Sequence, residues 1–290
     1  MNHVLTLVAN RSAMSLSPSV IARARDAVAG DTPVVLSENE SVDIPVVAAP
    51  DMDAVRAALD GAPIDALVTA AAGRRKALLV ADMDSTIVTG ETLDELADFA
   101  GLKARIAAIT ARAMNGELDF KAALRERVAM LRGLPVDALE KTWQRVRLTP
   151  GARELVATMR AHGAYTALVS GGFSFFTSRV AALVGFDMHR SNELLDDGAT
   201  LTGCVGEPIL DRDTKLETLK RLAAERGLPM SAALAVGDGA NDLDMLLAAG
   251  LGVAFRAKPI VAAQARARVD HADLRALLFA QGYRREDIVG

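Results

Sequence analysis

The sequence contains a single cysteine, Cys204, among its 290 residues. One thiol excludes a disulfide framework and a four-cysteine metal site, and it fits a protein of the reducing cytoplasm. Basic residues are not in excess either, because 33 lysines and arginines stand against 37 aspartates and glutamates. The net charge of −4 therefore gives no indication of binding to nucleic acid or to an anionic membrane surface.

Long apolar runs are also missing. The longest uncharged stretch, residues 161–178, contains serines, glycines and a histidine and is too polar for a membrane-spanning helix. The apolar run Val4–Ala9 is too short for a secretory signal. Apolar residues are nevertheless abundant overall, at 51% of the chain, so the composition predicts a folded protein with a substantial core.

Residues 1–73 differ from the rest of the chain in charge. They contain no lysine and carry four arginines against nine acidic residues, whereas the remainder is nearly neutral. Their short runs predict the order βαββαβ, typical of a small α+β, ferredoxin-like sheet. We therefore predict one module over residues 1–73 and a second domain over residues 74–290. The predicted elements of the module are strands Val4–Val8, Pro33–Leu36, Ile44–Ala48 and Ile64–Thr69 and helices Pro18–Val28 and Met52–Leu59.

The second segment contains continuous apolar runs of the type found in buried parallel strands. These runs are Ala77–Ala81, Ala164–Val169 and Ala232–Val236. Helical patterns alternate with them, which predicts a parallel sheet with helices on both faces. An insert at about residues 88–149 predicts four short helices, and Asp197-Gly198 predicts the turn of a β-hairpin. The predicted helices are Leu93–Phe99, Lys103–Met114, Phe120–Leu131, Val136–Arg145, Ser174–Leu183, Thr214–Arg226 and Asn241–Ala248.

Polar residues follow each of the three predicted strands. Because the carboxyl ends of parallel strands meet at one edge of a sheet, these residues should converge there. Converging carboxylates repel each other unless a cation lies between them, and hard oxygen ligands suit Mg²⁺. Glycines let backbone N–H groups approach an anion, and Lys215 is a candidate counter-charge for phosphate. The residues at this edge are Asp82, Asp84, Ser170, Gly171, Asp238, Asn241 and Asp242.

Four motifs, in this order, resemble those of the haloacid-dehalogenase superfamily of phosphohydrolases. They are Asp82-Met-Asp-Ser-Thr86, Ser170, Lys215 and Gly237-Asp-Gly-Ala-Asn-Asp242, and the resemblance covers about residues 77–270. The segments Glu91–Glu95, Met114–Phe120, Arg125–Arg127 and Val169–Phe173 are similar to the phosphoserine-hydrolysing members of that superfamily. The resemblance implies a Rossmann-like parallel sheet with a four-helix-bundle cap. It also implies that residues 1–73 are an ACT-like regulatory module.

The same resemblance implies a function. The reaction would be Mg²⁺-dependent hydrolysis of O-phospho-L-serine to L-serine and phosphate, the last step of L-serine biosynthesis, through an aspartyl-phosphate. Asp82 would be the nucleophile and Asp84 the general acid and base. Metal binding is assigned to Asp82, Asp84, Asp238 and Asp242. Substrate binding is assigned to Glu91, Met114, Phe120, Arg127, Ser170, Gly171, Lys215 and Asn241.

Two alternatives stay open at this point. The enzyme could be a related phosphatase or phosphotransferase that acts on another small phosphomonoester, which a panel of such compounds would reveal. The fold could instead be a phospho-ligand sensor, but a sensor requires a broken site, and Asp82, Asp84, Ser170, Lys215 and Asp238 are all intact. The sequence leaves open whether the chain forms a homodimer and whether residues 1–73 bind a regulator such as serine.

Overall fold

The computed structural model describes residues 1–13, 15–114 and 119–290, with the backbone alone for residues 107, 111, 113 and 114. Residues up to 70 form a four-stranded antiparallel sheet of order β2-β3-β1-β4, and the order βαββαβ is confirmed. The side chains of Ser17 and Asp51 cap the two helices by accepting hydrogen bonds from backbone N–H groups. The elements are β1 (His3–Ala9), α1 (Pro18–Ala27), β2 (Val34–Ser37), β3 (Ser41–Val46), α2 (Met52–Leu59) and β4 (Ile64–Ala70).

The rest of the chain forms a parallel sheet, a helical insert and a hairpin. In chain order its elements are β5 (Leu78–Ala81), α3 (Thr92–Phe99), α4 (Lys103–Met114), α5 (Phe120–Ala129), α6 (Asp137–Trp143), α7 (Ala152–Ala161), β6 (Tyr165–Phe173), α8 (Ser174–Val184), β7 (Met188–Asn192), β8 (Leu194–Asp196), β9 (Leu201–Val205), α9 (Arg212–Glu225), β10 (Ala233–Gly237), α10 (Leu243–Ala248), β11 (Leu251–Phe255), α11 (Pro259–Ala262), β12 (Ala267–Val269) and α12 (Ala276–Ala280).

The parallel sheet has the order β12-β11-β10-β5-β6-β7. From β5 the chain moves outward through β6 and β7, and it later continues from β10 on the other side through β11 and β12. The direction of winding therefore reverses between β5 and β10, which is where open α/β sheets bind their ligands. Hydrophobic cores lie on both faces of this sheet, as the doubly wound prediction requires.

The sequence did not predict three strands of this sheet individually. The strand β7 lies at an edge and buries only Asn192, so it lacks the continuous apolar pattern of a central strand. At the other edge, β12 has three residues, and its neighbour β11 follows α10 after only two residues. The predicted end of β6 at Val169 was wrong. The strand continues to Phe173 through a register shift that spans the glycines, which tolerate such an irregularity.

The helical insert contains the four predicted helices, α3 to α6. Their buried faces include Leu96, Ile106, Leu124 and Leu139, which belong to the same core cluster as one face of the parallel sheet. We call residues 88–149 the cap. The hairpin β8–β9 is joined to the cap through backbone hydrogen bonds, for example from the Leu201 N–H to the Leu134 carbonyl at 2.8 Å. Among the residues described, none of the helices has the length and apolar character needed to cross a membrane.

Both faces of the N-terminal sheet are packed against other elements. Leu5, Leu7 and Ile44 pack against α1 and α2, and the opposite face packs against α12. Acidic residues on this second face are buried and paired with the rest of the chain. Arg74 binds Asp43 with N–O distances of 2.6 and 3.1 Å, and Asp65 accepts hydrogen bonds from the backbone N–H groups of residues 270–272. Because Val8, Leu36 and Leu67 of the sheet also join the main hydrophobic cluster, the interface combines apolar packing with specific polar pairs.

Candidate active site

Three carboxylates meet where the winding of the sheet reverses. Asp82 follows β5, Asp238 follows β10, and Asp242 closes the turn after β10. Oxygen atoms of the three side chains lie within 4.8 Å of one another, and all three residues are buried. The Gly239 N–H donates to Asp242 Oδ2 at 3.0 Å, and a Cβ atom on Gly237 would come within 2.3 Å of Asp242 Cγ. Glycine at position 237 therefore lets Asp242 reach the other two carboxylates.

Lys215 lies within this carboxylate cluster. Its Nζ atom is 2.7 Å from Asp82 Oδ1 and 2.5 Å from Asp242 Oδ1, and the residue is 2% exposed. Asp211 and Thr214 form a capping box that begins α9 and places Lys215 on its first turn. Burial acts to lower the pKa of Lys215, but Asp242 and Asp82 outweigh this effect and raise its pKa above the usual value. Lys215 is therefore a permanent cation.

One lysine does not balance three buried carboxylates. Burial raises the pKa of Asp82 well above its usual value, and the neighbouring carboxylates add to this effect while Lys215 opposes it. Burial and Asp242 likewise raise the pKa of Asp238 to about 6. With Lys215 counted, the cluster has an excess of two negative charges when all three groups are ionised, and its donors are hard oxygens. A divalent ion such as Mg²⁺ fits this donor set.

Asp84 is not one of the three carboxylates of that cluster. Its Oδ1 atom accepts a hydrogen bond of 2.8 Å from the Thr92 N–H at the start of α3, and its Oδ2 atom lies 3.4 Å from Ser170 Oγ. Burial and then the charge of Glu91 raise the pKa of Asp84 to about 7. A carboxyl group with this pKa is partly protonated near neutral pH, as a general acid requires. The structure thus gives Asp82 and Asp84 different environments.

The segment after Val169 forms a cradle beside these acids. The Gly172 N–H donates to Ser170 Oγ at 2.9 Å, and Asn192 Nδ2 donates to the Gly171 carbonyl at 2.8 Å. A Cβ atom on Gly171 would contact the ring of Phe120 at 3.4 Å. The cap therefore closes directly over this glycine. The start of α8 at Ser174 lies immediately beyond the cradle.

A cavity of about 120 Å³ opens between the cap and the carboxyl edge of the sheet. The predicted site residues that line it are Asp82, Asp84, Glu91, Phe120, Arg127, Ser170, Gly171, Asp238 and Asn241. Lys215 and Asp242, also predicted site residues, do not line this cavity but lie behind it, where Lys215 contacts Asp82 and Asp242. The side chain of Met114, also predicted to bind substrate, lies outside the described part of the chain.

Arg127 enters the cavity from α5. Its Nε atom donates to the Ala123 carbonyl at 3.2 Å, and burial lowers the pKa of its guanidinium group while Asp94 and Glu91 act in the opposite direction. An arginine loses its proton only far above neutral pH, so Arg127 retains its charge in spite of this decrease. The cavity thus has a cationic group, Arg127, and an anionic group, Glu91, on its cap side.

Sequence reasoning missed some residues of this cavity. Lys258 lines it and lowers the pKa of Asp238, and Leu93 and Phe173 add apolar surface. Lys258 follows the apolar run Leu251–Phe255, so the rule that located Asp82 and Asp238 could have found it. Leu93 and Phe173 show no such signal, because an apolar residue beside a cavity has the same local pattern as one in the core.

Comparison with known proteins agrees with this geometry. A family model described as haloacid dehalogenase-like hydrolase matches residues 79–247, a range that begins in β5 and ends in α10. The chain belongs to this family.

Two named relatives show which members of the family this chain is similar to. A phosphoserine phosphatase of Streptococcus thermophilus is 47% identical over 199 residues, which cover 69% of this chain and 93% of the relative. Another, of Streptomyces coelicolor, is 44% identical over 227 residues, or 78% of this chain. The matched region is 55% of that relative, so the chain spans about half of its length.

A solved structure extends the similarity to the N-terminal sheet. The unliganded crystal structure of a probable phosphoserine phosphatase from Vibrio cholerae is 30% identical and superposes with a TM-score of 0.80. The match covers 99% of this chain and 88% of that one. The relatives that these comparisons match are named as phosphoserine phosphatases or, in the last case, as a probable one.

Proposed function

We propose that the protein hydrolyses O-phospho-L-serine to L-serine and phosphate, in a Mg²⁺-dependent reaction that passes through an aspartyl-phosphate. The observation that carries the proposal is one cavity in which a lysine-paired carboxylate, Asp82, lies beside an acid with a pKa of about 7, Asp84. Glu91 and Arg127 add groups that complement the ammonium and carboxylate of an amino acid. As the last step of L-serine biosynthesis, the reaction would take place in the cytoplasm.

The carboxylate cluster would hold the metal. Asp82 and Asp238 would be side-chain ligands, Asp84 would contribute its backbone carbonyl, and Asp242 would hold a coordinating water. When bound, Mg²⁺ supplies positive charge that allows the anionic Asp82 and the phosphate group to approach each other.

In the first half-reaction, an Asp82 oxygen attacks phosphorus and the bond to the seryl oxygen breaks. Asp84 donates its proton to that oxygen, so serine leaves as a neutral alcohol. In the second half-reaction, Asp84 takes a proton from a water molecule, which attacks phosphorus and releases Asp82. Ser170, the Gly171 N–H and Lys215 would donate hydrogen bonds to the phosphoryl oxygens, where charge is stabilised in such reactions. Asn241 would orient this group of donors.

Selection of the substrate would depend on the cap. Arg127 would bind the α-carboxylate with two parallel hydrogen bonds, and Glu91 would face the ammonium group. Phe120, which contacts the Gly171 position, would exclude water together with Met114.

We also propose that the two parts of the chain have separate roles. Residues 74–290 would form the phosphatase domain, and residues 1–73 would form an ACT-like regulatory module. The four-stranded sheet with two helices on one face supports the second assignment. The proposed assembly is a homodimer, which light scattering of the full chain would test.

The direct test is release of inorganic phosphate from O-phospho-L-serine by the full chain. Activity should disappear when EDTA removes divalent ions and return when Mg²⁺ is added in excess. A panel of small phosphomonoesters provides the comparison. A higher kcat/KM for another member of the panel would replace phosphoserine as the substrate, and phosphoserine binding without turnover would favour a sensor.

Arg127→Ala tests the assignment of the carboxylate subsite. A charge-assisted contact of this kind contributes roughly 1.5–3 kcal/mol, so kcat/KM for phosphoserine should fall about ten- to hundredfold. With phosphoethanolamine, which has no carboxylate, the loss should nearly vanish. Arg127→Lys should recover only part of the activity, because a point charge matches a carboxylate less well than a planar guanidinium.

Arg125 offers a matched control for this experiment. It lies on the same helix but pairs with Glu207 at 2.7 Å, on the exposed surface. Arg125→Ala should therefore leave the ratio of kcat/KM for phosphoserine to kcat/KM for phosphoethanolamine unchanged. Equal losses on both substrates for Arg127→Ala would assign Arg127 to the cap structure or the phosphate instead.

A further inference from the structure

Ser85, which follows Asp84, has an unusual backbone conformation. Its φ angle is 54°, in the left-handed region that favours glycine. The segment is held in place because the Ser85 N–H donates to the Gly90 carbonyl at 3.1 Å and the Val88 N–H to the Met83 carbonyl at 2.9 Å. A serine in this conformation carries strain that a glycine would avoid. The hydroxyl group is therefore the feature that a serine adds here.

That hydroxyl binds Glu91. Ser85 Oγ donates to Glu91 Oε1 at 2.7 Å, across the loop that leads from the sheet into the cap. A serine has one hydroxyl proton, so this hydrogen bond uses its whole capacity as a donor. Glu91 keeps Oε2 and the remaining lone pairs of its carboxylate for another partner.

The helix that follows does not use the Glu91 side chain. Glu91 occupies the N-cap position of α3, yet its side chain makes no capping hydrogen bond. The Thr92 N–H is bound instead by Asp84 Oδ1 at 2.8 Å. A glutamate at this position is thus free of the usual local partner, and it lines the cavity. Ser85 Oγ is the hydrogen-bond donor that the structure gives to this carboxylate.

We infer that Ser85 is a positioning residue, which fixes the Glu91 carboxylate so that it meets the ammonium group of the substrate. The inference rests on the proposed function and adds the residue that holds the ammonium-binding carboxylate in place. Without the hydroxyl, the glutamate side chain must lose more rotational freedom each time substrate binds. This loss of rotational freedom should appear mainly as a higher KM, and only for substrates with an ammonium group.

The test compares Ser85→Gly and Ser85→Ala on three phosphomonoesters. Phosphoserine and phosphoethanolamine have the ammonium group, and 3-phosphooxypropanoate has the carboxylate alone. Loss of one hydrogen bond predicts a decrease in kcat/KM of about three- to tenfold for the first two substrates and less than about twofold for the third. Both variants lack the hydroxyl and should therefore show the same selectivity among the three substrates, although only Ser85→Ala retains a side chain at this positive φ.

A double-variant comparison shows whether Ser85 acts through Glu91. In a Glu91→Ala background, which removes the acceptor of the Ser85 hydroxyl, Ser85→Gly should change kcat/KM for phosphoserine by no more than about twofold. Equal losses on all three substrates, or full activity of Ser85→Gly, would overturn the inference and leave the proposed function intact. A wild-type chain that hydrolyses other phosphomonoesters but not phosphoserine would overturn the proposed function, and the inference with it.

Discussion

Asp82→Asn is expected to abolish the phosphoenzyme and to lower kcat by at least on the order of 10⁴-fold, because an amide cannot serve as the nucleophile. The same change removes one carboxylate from the cluster with Asp238 and Asp242 and one of the two partners of Lys215. Acid-quenched enzyme, digested and mapped by mass spectrometry, should carry phosphate on the peptide containing Asp82 in the wild type and none in the variant. Phosphate on Ser85 or Ser170 would contradict the mechanism.

Asp84→Asn is the matched comparison, because it is the same chemical change two residues away. Asp84 lies outside the carboxylate cluster and contacts the Thr92 N–H and Ser170 instead. Its loss should cost roughly 10²–10⁴-fold, the range for general acid–base catalysis, while slow phosphorylation of Asp82 persists. Thermal unfolding of both variants shows whether a loss of activity reflects folding. Equal and complete loss of the phosphoenzyme in both would mean that their roles are not separate.

The second large effect is expected on stability and concerns Glu40, far along the sequence from the site. Glu40 is 6% exposed and forms an ion pair with Arg275, which is 2% exposed and also contacts Asp273 at 3.0 Å. Glu40→Met leaves a buried guanidinium with one of its two carboxylates. Removing one partner of a buried pair costs about 3–5 kcal/mol, so the free energy of unfolding should fall by this amount in urea titrations.

The double variant Glu40→Met/Arg275→Met provides the control. Both charges of the pair are then absent, and a well-packed apolar replacement of a buried pair costs far less than removal of one partner. We therefore expect the double variant to be more stable than Glu40→Met. Folded Glu40→Met should retain wild-type kcat/KM, since Glu40 does not line the cavity. A double variant less stable than the single variant would mean that Arg275 stabilises the fold mainly through Asp273.

The same interface bears on removal of residues 1–73. Every residue assigned to chemistry lies after position 73, so the sequence alone suggests that the first segment is dispensable for turnover. The structure adds that Arg74 and Arg275 would lose Asp43 and Glu40, and that backbone N–H groups near Ala272 would lose Asp65. We expect a chain beginning at Arg74 to be less stable than the full chain while the fraction that folds retains Mg²⁺-dependent turnover.

Much of the fold and of the site could be predicted because local patterns in the sequence indicate where strands begin and end. Continuous apolar runs predicted β5, β6 and β10, and the residues directly after them are forced to one edge of a parallel sheet. That rule predicted that Asp82, Ser170 and Asp238 should lie close together. It did not predict β7, whose pattern is not that of a buried strand, or the continuation of β6 across Ser170 and its glycines.

The sequence by itself determined which chemical groups this protein has at the carboxyl edge of its sheet, because strand order and motif position are local properties of the chain. Only the tertiary structure decided which of those groups contact one another. It gave Asp84 the Thr92 N–H as a partner, and it placed Lys215 between the carboxylates of Asp82 and Asp242. It also buried Glu40 against Arg275, 235 positions later, although an acidic residue in a short loop has the local pattern of a surface group. Such pairings depend on which surfaces pack together and on the exclusion of water from between them, and neither leaves a periodic signal in the chain.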